Sequence, residues 1–181
     1  MNLFIRFIFL IIKRCISSKP VDPLGMCITP FRVNPLDLDV NLHMNNGRYL
    51  SIMDLGRIDL MIRAGMFWKI IKQGYFPVVA SQSIRFKRSL MPFQKFHLIT
   101  QIQAWDEKDF YISQKFVCNK QVYAEGFIKG RFLKRGQKGS VPTRDIFKHF
   151  NMNYADGKIT DLSGLQKNIE KLLVKDTHFE D

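Results

Sequence analysis

The segment from Asp37 to Leu50, DLDVNLHMNNGRYL, concentrates carboxylate, amide and imidazole groups directly ahead of a long apolar pattern. Asp39, Asn41 and His43 alternate with apolar residues, and in an extended chain this spacing of two directs the three polar side chains to one side. A carboxylate that activates water, next to a group that stabilises a negative oxygen, is what hydrolysis of an acyl group requires. The segment therefore predicts a hydrolytic site at which Asp39 is the base.

The start of a helix adds a second chemical feature to this segment. Asn45 or Asn46 is suited to cap a helix that begins near Gly47, because an asparagine oxygen accepts a backbone N–H that lacks an intrahelical partner. The other unpaired N–H groups and the positive end of the helix dipole stabilise an oxygen that develops negative charge. A purely structural interpretation stays open, in which Asp39 and the asparagines cap and turn the chain and His43 packs.

One long helix and five strands are predicted around this segment. Residues 47–65 carry apolar side chains at helical spacing, with Gly56 permitting a close backbone approach and Gly65 supplying the stop. A short second helix follows at 66–74. Strand patterns cover residues 26–33, 75–87, 92–106, 109–119 and 121–135. A strand, a long buried helix and a meander of strands predict an α+β fold, with an antiparallel sheet wrapped around a central helix.

Two details of the strands are also predicted. Asn119 and Lys120 separate the last two strands as the turn of a hairpin would. Pro30 in the first strand indicates an edge position or a bulge, because proline cannot donate a backbone hydrogen bond.

The flanking segments predict a chain of four parts: an apolar and basic segment over 1–16, a linker over 17–25, the main domain over 26–140 and a helical tail over 141–181. The first segment is about half as long as a bilayer-spanning helix, which needs about 20 apolar residues. Its cations and apolar residues separate onto two faces, as in a helix that lies on an anionic membrane. A helix that packs on the protein's own body or on a second copy fits the pattern equally well. The tail predicts helices at 143–150 and 162–175.

Charge and composition restrict the partners. The 181 residues carry a formal net charge of +12, which indicates either general solubility or attraction to a polyanion such as nucleic acid, anionic lipid or a phosphate-bearing cofactor. Nucleic acid is an unlikely partner, because the basic runs lack aromatic spacing and a recognition-helix motif.

Other catalytic and metal-binding motifs are missing from the sequence. It contains no GxSxG, Walker, GxGxxG or HExxH motif, and its three cysteines form no CxxC pair. The remaining histidines are scattered, so we expect no metal site and no cofactor. The cysteine usage fits a reducing interior, which predicts a cytoplasmic protein, with the option of peripheral contact at the inner face of a membrane.

The segment DLDVNLHMNNGRYL resembles the signature of hotdog-fold thioesterases, the 4-hydroxybenzoyl-CoA thioesterase-like superfamily. Its sequence is similar to that of the acyl-carrier-protein thioesterases of plants. It is also similar to a single-repeat acyl-CoA thioesterase-like branch whose members carry a segment like WDEKDFY, here Trp105 to Tyr111. The resemblance covers about residues 26–135 and implies a single hotdog fold. The plant enzymes have two repeats and a further acid in the second, so their full set of catalytic residues does not transfer.

The resemblance implies roles for individual residues. Asp39 stands where the family has its catalytic aspartate, which acts as the general base on water or attacks the thioester itself. Asn41 and His43 match the amide and imidazole that hold the acid and the water. Backbone N–H groups near Asn45 and Asn46 would polarise the thioester carbonyl. Asp54 falls where many relatives carry an acid on the helix, either as a second catalytic acid or in a buried structural hydrogen bond.

The resemblance also implies substrates and assembly. The expected activity is that of an acyl-CoA thioesterase-like hydrolase in fatty acid metabolism, with acyl-CoA or acyl-ACP as substrate and coenzyme A present only as part of it. The expected assembly is a homodimer or homotetramer with the acyl tunnel between subunits. Basic residues on the strands are candidate ligands for the phosphates of coenzyme A: Arg85, Lys87, Arg88, Lys129 and Arg131. The alternative is a non-catalytic hotdog protein that binds acyl groups or lipids at a membrane surface.

Overall fold

The computed structural model describes residues 2–16 and 19–150. Its helices are α1 (Asn2–Ile16), α2 (Asn46–Arg63), α3 (Phe67–Lys72) and α4 (Thr143–His149), with a 3₁₀ helix at Pro35–Asp37. Its strands are β1 (Cys27–Arg32), β2 (Tyr75–Phe86), β3 (Lys95–Trp105), β4 (Asp109–Cys118), β5 (Gln121–Lys134) and β6 (Ser140–Val141). The helix predicted over 162–175 lies outside the described residues.

The strands pair into a single antiparallel sheet. Its order is β1-β3-β4-β5-β2, with the two-residue β6 paired to the end of β5. β1 lies at one edge, as Pro30 predicts, and β2 forms the other edge. Asn119 and Lys120 both have positive φ angles, 48° and 62°, as a tight hairpin turn requires. The five predicted strands and the hairpin are therefore confirmed.

The buried face of α2 packs on this sheet and forms the main core. Tyr49, Ile52 and Met53 of the helix pack with sheet residues that include Phe96 and Phe116. The ring of Tyr49 meets that of Phe116 edge-on, with 4.9 Å between centroids. The helix ends at Arg63, and Gly65 follows with a φ of 69°, as predicted. An α+β arrangement of a long helix against an antiparallel sheet is confirmed.

Gly56 lies where α2 approaches the sheet most closely. A Cβ atom on this residue would lie 2.8 Å from Thr100 Oγ1 and 3.0 Å from Gln114 Nε2. Both of these side chains are buried, and the Gln114 amide donates hydrogen bonds to Thr100 Oγ1 and to the Met53 carbonyl, each at 2.9 Å. Polar groups thus connect two strands to the helix backbone at a point that has no room for a side chain.

Helix α1 packs on α2 through a buried ion pair that the sequence does not predict. Asp59 is fully buried on α2, and its two carboxylate oxygens accept hydrogen bonds from Arg14 at 2.6 and 2.8 Å. Thr29 Oγ1 donates to the same carboxylate at 2.6 Å. Nearby, burial and the Asp59 charge raise the pKa of the Cys27 thiol, which disfavours the reactive thiolate. One side of the first segment thus packs on the body of the protein.

A second apolar cluster closes the other end of the sheet. It joins α3, α4 and four strands, β3 to β6, and its buried members are Met66, Ile70, Trp105, Phe110, Phe132, Val141, Ile146 and Phe147. The first helix predicted in the tail, α4, therefore packs on the sheet through Ile146 and Phe147. None of the helices in the described part of the chain has both the length and the apolar character to cross a bilayer.

We predict that Gly56→Ala destabilises the protein, although alanine favours a helix by about 1 kcal/mol over glycine. The added methyl group would collide first with the Leu98 side chain and then with Thr100 and Gln114, and overpacking of this kind costs about 1–3 kcal/mol. Denaturant unfolding should show a net loss of up to about 2 kcal/mol in the free energy of unfolding. A gain in stability would mean that the sheet does not lie against this helix position.

We predict that Arg14→Met lowers the free energy of unfolding by about 3 kcal/mol, because it leaves the buried Asp59 without its main cation. Lys13→Met, on the exposed side of the same helix, is the matched control and should change stability by less than about 0.5 kcal/mol. Equal effects of the two substitutions in urea titrations would show that α1 is not held by this ion pair.

Candidate active site at the start of the long helix

A closed turn places the predicted site residues directly ahead of α2. Leu38 and Met44 pair as an antiparallel bridge on the two sides of the turn. The Asp39 N–H donates to the His43 carbonyl at 3.0 Å, and the Asn45 N–H donates to the Asp37 carbonyl at 2.8 Å. Asp39 and His43 therefore lie across from each other on neighbouring strands of the turn.

Asp39 and His43 form a close polar pair. The distance from Asp39 Oδ2 to His43 Nδ1 is 3.3 Å, and their side chains are 19% and 30% exposed. The other Asp39 oxygen, Oδ1, accepts the Asn41 backbone N–H at 2.9 Å. The carboxylate is thus held from two directions and stays accessible to water, which are two requirements for a general base.

The geometry that brings these residues together differs from the predicted one. The alternating pattern predicts an extended segment with its apolar residues turned away from the polar ones. Instead, Val40 is 95% exposed at the tip of the turn, and Leu42 is also exposed, with a left-handed φ of 58°. The Asn41 side chain is exposed as well, so this residue reaches Asp39 through its backbone N–H and not through its amide. The reversal of the chain, and not the period of two, joins Asp39 to His43.

The N-terminus of α2 is capped by an asparagine side chain, as predicted. Asn45 is the N-cap, and its side-chain oxygen accepts the Gly47 N–H at 2.9 Å. The backbone N–H of Asn45 is already used by the Asp37 carbonyl, and the Arg48 N–H is used by the Asn45 carbonyl at 2.9 Å. The N–H of Asn46 makes no hydrogen bond to the residues that the structure describes. Of the two predicted amide donors, the Asn46 N–H is therefore the one that is available to a substrate.

A cleft of about 220 Å³ opens beside this helix start. Its lining residues are His43, Met44, Asn46, Tyr49, Phe86, Lys87, Arg88 and Ser89. The N–H groups of Lys87 and Arg88 both donate to the Tyr123 carbonyl, at 2.8 and 3.0 Å, which fixes the end of β2 at the cleft. Burial raises the pKa of the Tyr49 hydroxyl, which accepts the Leu90 N–H and so helps to close the floor. The His43 imidazole, the N-terminus of α2 and the cations of Lys87 and Arg88 thus border the same cleft.

The five basic residues predicted to bind phosphate divide into two groups. Lys87 and Arg88 line the cleft, with Lys87 Nζ 3.2 Å from Glu125 and the Arg88 guanidinium bonded to Gln121 at 2.6 Å. Arg85 is exposed on β2 and does not line the cleft. The members of the second group, Lys129 and Arg131, lie on β5 and pair with the buried Asp109 at 3.1 and 2.7 Å.

Asp54 is separate from the turn that carries Asp39. It is 54% exposed and forms an ion pair with Arg57 one turn further along α2. At a rise of 1.5 Å per residue, it lies about 12 Å along the helix from Asn46. Burial lowers the pKa of Arg57, and the Asp54 carboxylate opposes that change. The Arg57 guanidinium also donates to Gln114 Oε1 at 2.8 Å, so a structural role for Asp54 is the one its contacts favour.

An apolar cavity of about 400 Å³ lies between α2 and strands β2, β3, β4 and β5. Asp54, Arg57 and Arg131 are its polar lining residues, and apolar side chains make up most of the rest. These include Met61, Met66, Val78, Ile102, Ile112, Ile128 and Phe132. The apolar strands that border the cavity are recognisable in the sequence. The position of the cavity is not, because the same side chains would also fill an ordinary core.

The WDEKDFY segment is a turn between β3 and β4. Asp106 accepts backbone N–H groups from Lys108 and Asp109, each at 2.8 Å, and the Tyr111 hydroxyl at 2.8 Å. Burial and the Asp106 carboxylate raise the pKa of Tyr111. The segment thus has a structural explanation. No cluster of three or more potential metal ligands occurs within residues 2–16 and 19–150.

Comparisons with known proteins agree with this architecture. A family model described as the thioesterase-like superfamily matches residues 33–161. Protein THEM6 of Danio rerio is 36% identical over 132 residues, which are 73% of this chain and 63% of the relative. This chain thus spans less than two thirds of the length of that relative.

Solved structures support the fold. The probable thioesterase YbaW of Escherichia coli has a TM-score of 0.64 at 21% identity, and the match covers 68% of this chain and 95% of that one. DHNA-CoA thioesterase of Staphylococcus aureus also has a TM-score of 0.64, at 14% identity, over 83% of this chain and 94% of that one. The predicted hotdog fold is confirmed, and the chain belongs to the thioesterase-like superfamily.

Proposed function

We propose that the protein is a thioesterase that hydrolyses an acyl-CoA, or an acyl group on acyl carrier protein, to the free acid and the thiol. The observation that carries this proposal is the Asp39–His43 pair, 3.3 Å apart in a turn that leads directly into the N-terminus of α2. Membership of the thioesterase-like superfamily adds support, as does the fold shared with a protein named as a CoA thioesterase.

In the proposed reaction Asp39 takes a proton from water as the water oxygen attacks the thioester carbonyl carbon. The carbonyl oxygen becomes negative and is stabilised by the Asn46 N–H and the positive end of the α2 dipole. The carbonyl re-forms as the C–S bond breaks, and the leaving thiolate takes the proton that Asp39 removed from water, which gives the free thiol and restores the Asp39 carboxylate. His43 holds the Asp39 carboxylate in place, as does the Asn41 backbone N–H. A direct attack of Asp39 on the thioester would use the same position of the carboxylate.

The cleft beside His43 and the apolar cavity beside α2 suit two different parts of the substrate, the coenzyme A phosphates and the acyl chain. Lys87 and Arg88 line the cleft beside His43 and are the cations best placed for the phosphates of coenzyme A. The apolar cavity beside α2 suits an acyl chain, since ligand pockets are mostly apolar with a few polar groups. Lys129 and Arg131 are neutralised in part by Asp109 and are weaker candidates.

A homodimer, or a homotetramer built from it, is the proposed assembly. β2 is a 12-residue edge strand, and such an edge offers unpaired backbone groups to another strand. Exposed apolar residues lie on β2 and on the turn of the site: Phe76, Val79, Phe86, Val40 and Leu42. A second subunit would cover such residues and place its own apolar surface near the turn. Cys27 and Cys118 are free buried thiols, which suit a reducing compartment such as the cytoplasm. The acyl thioester proposed as substrate would place the enzyme in fatty acid metabolism.

A non-catalytic acyl- or lipid-binding protein is the second candidate. It is favoured by the exposed Asn41 side chain, because that amide does not contact Asp39 as a complete catalytic set would require. The two candidates differ in turnover. Steady hydrolysis of a coenzyme A thioester, in a series from short to long acyl chains, supports the thioesterase, whereas stoichiometric binding without turnover supports the second candidate.

We predict that Asp39→Asn lowers kcat/KM for acyl-CoA hydrolysis by at least about 100-fold, because general-base catalysis contributes about 10²–10⁴-fold. The fold should be retained, since asparagine can still accept the Asn41 N–H. Asp145→Asn, at an exposed carboxylate on α4, is the matched control and should change kcat/KM by less than about tenfold. Asp39→Asn with wild-type rates on every thioester that the wild type hydrolyses would exclude Asp39 as the base.

We predict that Lys87→Ala/Arg88→Ala raises KM for acyl-CoA by about tenfold or more, because two charge-assisted contacts to phosphate are lost. The same acyl group on a short thiol without phosphates should be hydrolysed at a nearly unchanged rate. Lys129→Ala is the control, because Lys129 lies on β5 and does not line the cleft. If KM rises equally for both thiols, or rises more in the Lys129 variant, the cleft does not bind the phosphates.

A further inference from the structure

Helix α1 presents its apolar face to solvent and two of its three cations to the protein. Six large apolar residues of the helix are between 41% and 80% exposed: Phe4, Ile5, Ile8, Phe9, Ile12 and Ile16. Arg6 and Arg14 point inward, with side chains that are 18% and 12% exposed. A surface helix of a globular protein has the opposite arrangement, with its apolar stripe toward the core.

Two ion pairs fix this orientation. Arg6 reaches the buried Asp37 at 2.6 Å, and Arg14 reaches the buried Asp59 at 2.6 Å. Rotating the apolar face inward would remove both cations from their carboxylates and leave the Asp59 charge poorly compensated in the interior, which is strongly unfavourable. The outward apolar face is therefore a consequence of how the helix is held.

The exposed face is large and continuous. The six residues recur at helical spacing, so they form a single stripe about 18 Å long, at 1.5 Å per residue from Phe4 to Ile16. Contiguous apolar patches of this size are rare on monomeric proteins and mark surfaces that bind another molecule or a membrane.

The charge around the stripe decides what covers it. α1 contains no acidic residue, and a groove of about 330 Å³ between α1 and β1 is lined by four cations: Arg6, Lys13, Arg14 and Arg32. Arg6 and Arg14 are neutralised by Asp37 and Asp59, so the net positive charge of the groove comes from Lys13 and Arg32. Lys13 and Arg32 are exposed. A second copy of the chain seated on this face would bring a second set of these cations against the first. A surface that is apolar inside and anionic at its rim fits both the stripe and the groove.

We propose that α1 is a membrane-docking surface that inserts its apolar stripe into the interface of an anionic phospholipid bilayer, with Lys13 and Arg32 contacting lipid phosphates. An interfacial helix of this kind buries its apolar face to a depth of about 5–10 Å without crossing the bilayer. The inward cations differ from the usual interfacial helix, in which cations flank the apolar face and stay in water. The proposal goes beyond hydrolysis and does not depend on it.

The test is co-sedimentation of the full chain with vesicles of phosphatidylcholine alone or of phosphatidylcholine with phosphatidylserine. We expect binding that is stronger on the phosphatidylserine vesicles and that falls at least about tenfold in Ile8→Glu/Phe9→Glu. Trp68→Glu/Ile71→Glu is the matched control, because these exposed apolar residues lie on α3, and it should bind as the wild type does. Lys13→Glu should reduce the preference for phosphatidylserine by roughly tenfold, since each basic residue near such a surface contributes about 1 kcal/mol.

Several results would overturn the proposal. These are an absence of vesicle binding by the wild type, unchanged binding by Ile8→Glu/Phe9→Glu, or an equal loss in the α3 control. A fourth is a change from oligomer to monomer in the α1 variant with vesicle binding unaffected, which would assign the stripe to a second copy. Thermal unfolding of each variant, measured by circular dichroism, shows that the fold is intact, as expected for substitutions at exposed positions. Lys13→Glu leaves the apolar stripe untouched and keeps the test independent of the double variant.

Discussion

The candidate site depends on the backbone hydrogen bonds that close residues 37–45 into a turn at the start of α2. The Asn45 N–H is bonded to the Asp37 carbonyl, and the Met44 N–H to the Leu90 carbonyl at 2.9 Å, so both the turn and the loop after β2 are fixed to the same point. These bonds hold Asp39 opposite His43 and beside a helix N-terminus without using either side chain. The Asp39 carboxylate accepts the Asn41 N–H and lies 3.3 Å from His43, yet its side chain is still 19% exposed, so water can reach it as a general base requires.

Most of the fold follows from local sequence patterns, whereas the site follows only in part. The strands, α2, Gly65 and the turn at Asn119 and Lys120 are predicted because periodicity, glycine and turn preferences act over a few residues. The sequence also predicts that Asp39 and His43 are partners, but it does not predict the chain reversal that brings them together. Leu42 adopts a left-handed conformation that is uncommon for a leucine, and no local preference predicts the resulting reversal.

Contacts between distant parts of the chain account for what the sequence does not predict. Arg14 and Asp59 are 45 residues apart, and each appears in the sequence as an ordinary charge on a helix. The apolar cavity beside α2 likewise depends on how four strands pack against the helix. The net charge of +12 is also distributed unevenly, because several cations neutralise the buried carboxylates of Asp37, Asp59 and Asp109, whereas others remain exposed at the cleft and beside α1. Total charge alone does not separate these uses.

The most direct test of the catalytic account is a crystal structure with a non-hydrolysable acyl-CoA analogue in which the thioester sulfur is replaced by a methylene group. The account predicts that the carbonyl oxygen lies about 3 Å from the Asn46 N–H and that Asp39 reaches the carbonyl carbon through a single water. It further predicts that the acyl chain is surrounded by apolar side chains. An analogue bound with its carbonyl away from the N-terminus of α2, and out of reach of Asp39, would contradict the account.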